Sequence, residues 1–575
     1  MPLRLIGAVS LACMLLAGCT SPGAPSGQTR ESASGAAERT APKRLTIGIL
    51  EEPKGWAPWT GATTAGGSHQ PRWLVTRSLT IINDRGLVQA ELAVDVPSIE
   101  RGDWTINPDG TMEQTWKLRP NLHWHDGQPL TADDLVFGWE VETHPALVSL
   151  NSLARVHVSD ASAPDAQTLV LRFRGTTPVA GNFLYEPVPR HLLGQVFTSN
   201  PEQLPQHDYW TSGYVGAGPY RLVEWQPGAY QTLTAFADYV FGKPKIDMVT
   251  IKFLGDPNTL LANLLSGEID VGLPDALSVE TAAELKQGWA APSTGNHVVL
   301  FNDGRVYRVE FQHRPEYANP SAALDPRVRR AFYHTIDKAA INEVEVAGLG
   351  MIADSWIPPD DPRRAQFRDV IPEWSQDLSL AQRLLEEAGW RRGADGALVH
   401  GPTGQRMESD IRVTGGQGHV RALSILANEW RKVGATAIET VIPAAQLSNN
   451  EYRATFPFAG LTGHPIELQW EDRHYSCRRA ARADTRWSGN RNGYCSQAAE
   501  PLIERLQVTI AEGERTSVQQ EIMRIVNKED YGQLYLYWQV TPVVATKSVT
   551  GLVPLAPGPH GGAQSPWNIH LWDRQ

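Results

Sequence analysis

The chain reads as a mixed α/β protein of several domains, and three observations carry that reading. Residues 216–273 run strand, turn, strand, loop, strand, helix, strand. Residues 411–414, 420–433 and 437–441 alternate strand, helix, strand, the pattern of a βαβ unit. The length of 575 residues exceeds what one core holds, and a prior of about 150 residues per domain gives roughly three or four.

Residues 1–18 form a leader, with Arg4 as the positive start and an apolar run over 6–17 that is too short to span a bilayer. Leu16-Ala17-Gly18-Cys19 has the form of a bacterial lipobox, in which Cys19 is lipidated and begins the mature chain. An ordinary signal peptide with a chance cysteine is the plainer alternative. No second apolar run of membrane length follows, so a body held by lipid is expected, for which two acyl chains suffice. Residues 20–44 are rich in Ser, Gly, Ala and Pro without an apolar period, and read as a flexible tether.

Residues 45–50 (LTIGIL) read as the first strand. The loop after it carries Trp56 and Trp59, which either line a cavity or pack the loop. Residues 72–79 read as helix and 111–118 as an alternating strand. His123 and His125 share a face beside Asp126. Metal binding is one reading and a scaffold turn the other, and no third ligand is evident. Thr131 caps the next helix, with Asp133 and Asp134 in its dipole-favoured first turn. Residues 156–160 and 168–174 read as paired strands.

Gly216, Gly218 and Pro219 read as a tight turn. Period-2 residues over 220–225, Pro227-Gly228, and strands at 231–236 and 248–253 follow. Asp256 then caps a helix with Pro257 in its first turn and Leu260, Leu261, Leu264 and Leu265 as its apolar stripe. Residues 297–302 read as strand, and 304–323 as a longer polar insert carrying Tyr307, Phe311 and Tyr317. Asp325-Pro326 starts a helix. Ser379 with Gln382 reads as the capping box of a helix ended by Gly389. Residues 458–472 read as a loop and 533–538 (QLYLYW) as a strand.

A net charge of −11 without an offsetting basic tract argues against a nucleic-acid partner. No nucleophile elbow, HExxH or phosphate-cradling loop is present, so neither an enzyme nor a cofactor is expected. Cys13 leaves with the leader and Cys19 takes the lipid, leaving Cys477 and Cys495. In an oxidising compartment that pair is expected to close a disulfide, worth about 3 kcal/mol in the chain-entropy description. Half of a metal site is the alternative, and it lacks partners at zinc spacing. Between them lie Arg478, Arg479, Arg482, Arg486 and Arg491 against Asp484 alone. That loop reads either as an anion site or as a solvated surface loop.

Several of these landmarks resemble, in order, those of one family. Residues 216–273 resemble its GTGPY, PG, GKPK, DPNT and SGE-D series, and WKLRPNLHWHDGQPLTADDLVFGWE resembles FxLRxGVKFHDGxPLTAEDVVFSxE. Residues 325–338, 348–359 and 379–390 match further signatures. The family is that of the extracytoplasmic solute-binding proteins, family 5, of ABC importers: the oligopeptide, dipeptide and nickel binding proteins. The resemblance covers about 45–575. It implies a two-lobe, periplasmic-binding-protein-like (Venus flytrap) α/β fold with an extra inserted domain, three domains in all. Domain I would comprise 45–86, 213–302 and 536–575, domain II 87–212, and domain III 303–535.

The resemblance further implies a lipid-anchored substrate-binding protein, monomeric, at the outer face of the bacterial cytoplasmic membrane. It would capture a peptide or peptide-like solute between the first and third domains and pass it to a membrane permease, with hinge closure burying the ligand. Peptide binders of the family carry GWxADYPDP, whose aspartate pairs with the peptide amine. Residues 458–467 keep the glycine but place Leu461 at the tryptophan position and Gly463 or His464 at the aspartate position. This departure keeps open a non-peptide polar solute, such as an oligosaccharide or opine, and more remotely a hydrolase. Glu467, Glu471 or Asp472 would supply a carboxylate from nearby, or form a solvated loop. The candidate ligand contacts are Trp56, Trp59, Leu461, Thr462, His464, Glu467, Tyr537 and Trp538.

Overall fold

Strand Arg44–Ile49 pairs parallel with Met248–Phe253 on one side and with Val271–Gly272 on the other. These form the middle of a seven-stranded sheet, flanked by Tyr230–Ala235 and Tyr220–Gln226 at one edge and by Thr541–Ala545 and His297–Phe301 at the other. The computed structural model describes residues 41–57, 67–147, 153–182, 185–302, 304–372, 374–414, 417–555 and 565–575. The body from Pro42 to Gln575 is one unit. Cys19 and the leader lie outside the described residues, and among those described no helix is long and apolar enough to cross a membrane.

The helix Pro257–Ser266 forms as its caps dictate. The Asp256 carboxylate accepts from the amides of Asn258 and Thr259, both at 3.0 Å, and Gly267 ends the helix in the left-handed region at φ 79°. The helix Leu378–Glu387 corrects the expected capping box. Its cap is Asp377, which accepts from the Leu380 amide at 2.8 Å, so Ser379 lies inside the first turn.

Between segments of the first lobe the chain builds a separate four-stranded sheet, ordered Trp104–Ile106, Met112–Lys117, Thr168–Phe173, Val158–Asp165. It has its own core, including Trp116, Trp124, Leu169 and Leu171.

A six-stranded sheet forms the second lobe, ordered Met351–Ile352, Gln533–Trp538, Arg305–Phe311, Ala459–Pro465, Glu408–Thr414, Thr436–Ile442. Two expectations fail here. The supposed polar insert at 304–323 contains an interior strand, Arg305–Phe311, buried along almost its whole length. Its polar residues are tolerated because Arg308 and Glu310 compensate each other. The strand Gln533–Trp538 was split at 535/536 between two domains. It lies wholly in the second lobe, because Tyr537 and Trp538 pair with Tyr307 and Val306 on one side and with Ile352 and Met351 on the other. The chain returns to the first sheet only at Thr541–Ala545.

Two short crossings therefore join the lobes, Asn302 to Gly304 and Gln539 to Val540. The Gln539 amide donates to the Arg305 carbonyl at 2.8 Å, tying the two crossings together. Near them, Glu280 on helix Val279–Gln287 pairs with Arg421 on helix Gln417–Lys432 of the second lobe.

Glu345 sits behind that pair on helix Lys338–Val346 and accepts from the Ala422 amide at 2.8 Å. Burial pushes its carboxyl up to about 7, against that hydrogen bond and the nearby Arg421. Between its ordinary 4.5 and about 7, the folded chain holds a proton that the unfolded chain has lost. Stability is therefore expected to fall as pH rises through this window, by on the order of 2–3 kcal/mol. Urea midpoints at pH 5 and pH 8 should show the drop, and Glu345→Gln should flatten it. An unchanged slope in the variant would assign the drop to another group.

Candidate functional site

The strand Arg305–Phe311 alternates between two environments. Tyr307, Val309 and Phe311 enter the second-lobe core, while Val306 joins a second cluster with Trp470, Tyr475 and Trp538. Arg308 and Glu310 share the Val306 face by the period of two. The Arg308 Nε donates to Glu310 Oε1 at 2.9 Å, and its guanidinium lies 4.7 Å from the Trp470 ring centroid. Arg308 is fully buried and Glu310 is 6% exposed.

The next strand, Ala459–Pro465, sets Thr462 opposite Arg308 and His464 opposite Val306. Its odd residues turn the other way: Leu461 is in the core, and Gly463 abuts the Tyr307 ring, which a Cβ there would meet at 2.6 Å. Residues 458–472 are thus no loop. The strand is followed by a helix, Trp470–Tyr475, whose Glu471 and Asp472 are buried rather than solvated. Asp472 accepts from Arg478 Nε at 3.0 Å and Arg479 Nε at 2.8 Å, so part of the arginine loop is paired with the acid beside it. Cys477 and Cys495 are bonded, which closes that loop.

His474 completes the arrangement. Arginine is always a donor, so at 3.0 Å from Arg308 Nη2 the His474 Nδ1 accepts and Nε2 carries the hydrogen. That Nε2 has no hydrogen-bond partner among the described residues, although the side chain is only 4% exposed. Burial, then Arg308, His464 and Arg473, hold the imidazole pKa well below its ordinary value, so it is neutral.

Glu310, His464, Asp472 and His474 border a cavity of about 890 Å³. One wall is second lobe, with Glu310, His464, His474 and Arg491; the other is the inserted domain, with His157 and Arg174. A smaller cavity of about 220 Å³ adjoins it through Glu467 and is lined by Trp104 of the inserted domain and by Trp356, Trp470 and Glu471. Glu471 Oε1 accepts from Trp356 Nε1 at 3.2 Å and Gln519 Nε2 at 2.8 Å. Burial raises its pKa. This space opens between the inserted domain and the second lobe. The charged residues that line it come from 156–177 and 310–491.

Of the candidate contacts, His464 and Glu467 line this space. Thr462 is half-buried beside Arg308 and is not at the cavity wall. Trp56 is fully buried in the first-lobe core, with ring centroids 5.8 Å from Tyr214 and 5.5 Å from Trp225. Leu461 belongs to the second-lobe core. Tyr537 is stacked on Tyr307 at 4.9 Å, and Trp538 is buried against the opposite cluster. Trp59 lies outside the described residues. Sequence reading missed Arg308, Glu310, His474 and Arg174. The signal for the first two was the alternation Val306-Tyr307-Arg308-Val309-Glu310-Phe311, a strand pattern with a compensated ion pair on one face.

Comparison with known proteins agrees with this architecture. The profile described as "Bacterial extracellular solute-binding proteins, family 5 Middle" matches residues 96–464, more than half of the chain. A Brucella ovis protein named for ABC-transporter peptide binding is 28% identical over 294 residues, which is 50% of this chain and 50% of that protein. The chain thus matches about half the length of that relative. Protein XP55 of Streptomyces lividans is 26% identical over 438 residues, 75% of this chain and 71% of its own. The crystal structure of the ABC transporter substrate-binding protein CtaP from Listeria monocytogenes superposes with a TM-score of 0.72 at 19% identity, over 93% of this chain and 100% of that one. A two-lobe α/β fold with an inserted third sheet, matched over most of its middle by that profile, belongs to family 5 of the bacterial extracellular solute-binding proteins.

Proposed function

We propose that this chain is the substrate-binding protein of an ABC importer. It captures a peptide or peptide-like solute between its second lobe and the inserted domain and delivers it to membrane permease subunits. The single observation that carries this reading is the cavity of about 890 Å³ whose walls belong to two separately packed units, the inserted domain and the second lobe. Relative motion of such units opens and closes a binding cleft. The Brucella ovis relative is named for ABC-transporter peptide binding, which supports the transport role. Cys19 would carry the lipid that holds the body at the outer face of the cytoplasmic membrane, with the 20–44 tether between. His464 and Glu467 would contact the solute, joined by His474 and Arg491.

A non-peptide polar solute is the second reading, and the strand Ala459–Pro465 favours it. It presents Gly463 against Tyr307 and His464 toward the cavity, with no carboxylate to meet a peptide amine. The body from Pro42, purified without denaturation, should carry bound solute identifiable by native mass spectrometry. A peptide mixture is the expected result. A single sugar or amine compound would replace the first reading with the second, and turnover of peptide or glycan pools would replace both with an enzyme.

A further inference from the structure

The walls of the large cavity are unbalanced in both charge and hydrogen-bonding sense. Five arginines line it, at 174, 473, 478, 479 and 491, against the three carboxylates of Glu310, Glu467 and Asp472. Each carboxylate is already engaged. Glu310 accepts from Arg308 beneath the wall, Glu467 from Arg473 at 2.8 Å, and Asp472 from Arg478 and Arg479. Arg174 and Arg491 have no carboxylate partner among the described residues, and they stand on opposite walls, one on the inserted domain and one on the disulfide-closed loop. Arg491 is half-buried, with Arg453 and Arg473 as its cationic neighbours and Glu310 as the opposing charge. The buried His474 adds an Nε2–H without an acceptor among the described residues. The wall therefore carries donors without a carboxylate, while each of its carboxylates is already paired with an arginine.

A half-buried guanidinium without a counter-ion is costly, and an anion that reaches it makes charge-assisted hydrogen bonds of the strong class. A neutral or cationic solute would leave both arginines unmatched. We infer that the cavity selects an anionic solute, one carrying carboxylate or phosphate groups, held between Arg174 of the inserted domain and Arg491 of the disulfide-closed loop. The inference rests on the solute-binding reading of this cavity and narrows its ligand class. Because the two arginines belong to different units, an anion between them also favours the closed arrangement. The same charge distribution disfavours lysine-rich peptides by direct repulsion.

Isothermal titration calorimetry on the body from Pro42 tests this with defined probes: an acidic tripeptide with two glutamates, its all-alanine counterpart, a lysine counterpart, and the non-peptide anions citrate and inorganic phosphate. The acidic tripeptide is expected to bind at least tenfold more tightly than the alanine one, and the lysine one not measurably. Arg491→Gln and Arg174→Gln are each expected to lose about tenfold for the acidic probe. Arg174 is exposed and Arg491 half-buried, so unchanged melting temperatures should accompany both losses. Equal binding of the three peptides would overturn the inference while leaving the peptide-importer reading intact. Citrate or phosphate binding that both substitutions weaken, with no peptide binding, would uphold the inference and remove the peptide reading. Wild-type affinity for the anionic probe in both variants, or no binding of any probe at millimolar concentration, would overturn it.

Discussion

Gly216→Ala is expected to prevent the first lobe and the inserted domain from folding together. A Cβ at 216 would sit 1.9 Å from the Val75 carbonyl oxygen, and one at 218 would sit 2.5–2.8 Å from backbone atoms of Leu74, Val75 and Thr76. These obstacles are backbone, not the free end of a side chain, so relief requires moving a chain segment. That segment is tied in place. The Gly218 amide donates to the Val75 carbonyl at 3.0 Å, and the Gly216 amide donates to His125 Nδ1 at 3.1 Å. His125, with Nδ1 thus an acceptor, donates Nε2–H to the Gly218 carbonyl at 3.0 Å, and burial pulls its pKa down to about 4. The histidine once open to a metal reading is a neutral strut between the two glycines. The expected cost exceeds about 4 kcal/mol, in the range reserved for identifiable disruptions. Soluble yield and melting temperature of the variant check this. A melting temperature within a few degrees of wild type would show that the close approach relaxes freely.

Glu310→Gln is expected to cost the second lobe about 3–5 kcal/mol, because it leaves the Arg308 charge buried without its counter-ion. Arg308 is fully buried between strands, with Trp470 against its face and His474 accepting one of its hydrogens. Neither supplies negative charge. The double substitution Arg308→Met with Glu310→Leu removes both charges at similar volume, and should recover most of the loss. Urea unfolding followed by intrinsic fluorescence reads both variants. A single-variant cost below about 1 kcal/mol would show that water reaches the guanidinium from the cavity side.

Much of the fold was legible because its signals are local. Asp256-Pro257 with Gly267, and Asp325-Pro326, cap their helices where the sequence placed them. The cysteine pair is bonded as its count implied. Failures fell where a residue's meaning depends on which side chains the fold turns toward it. Arg308 and Glu310 looked like a polar insert until each was seen to neutralise the other. Asp472 looked solvated until Arg478 and Arg479 closed over it. The tryptophan at 56 has the chemistry of a cavity wall, but Tyr214 and Trp225 cover it. Even the glycines were read for the wrong reason: 216 and 218 permit close backbone approach, and neither has a positive φ.

The sequence by itself determined the α/β class, the order of the landmarks and the family. Those rest on caps, turns and periodicities carried by neighbouring residues. Only the tertiary structure decided which residues line the large cavity. Its walls join 156–177 of the inserted domain to 310, 464–491 and 507–508 of the second lobe. The arginines spent there pair with carboxylates two to seven residues away in sequence, but which of them share one cavity is a property of packing between segments more than a hundred residues apart.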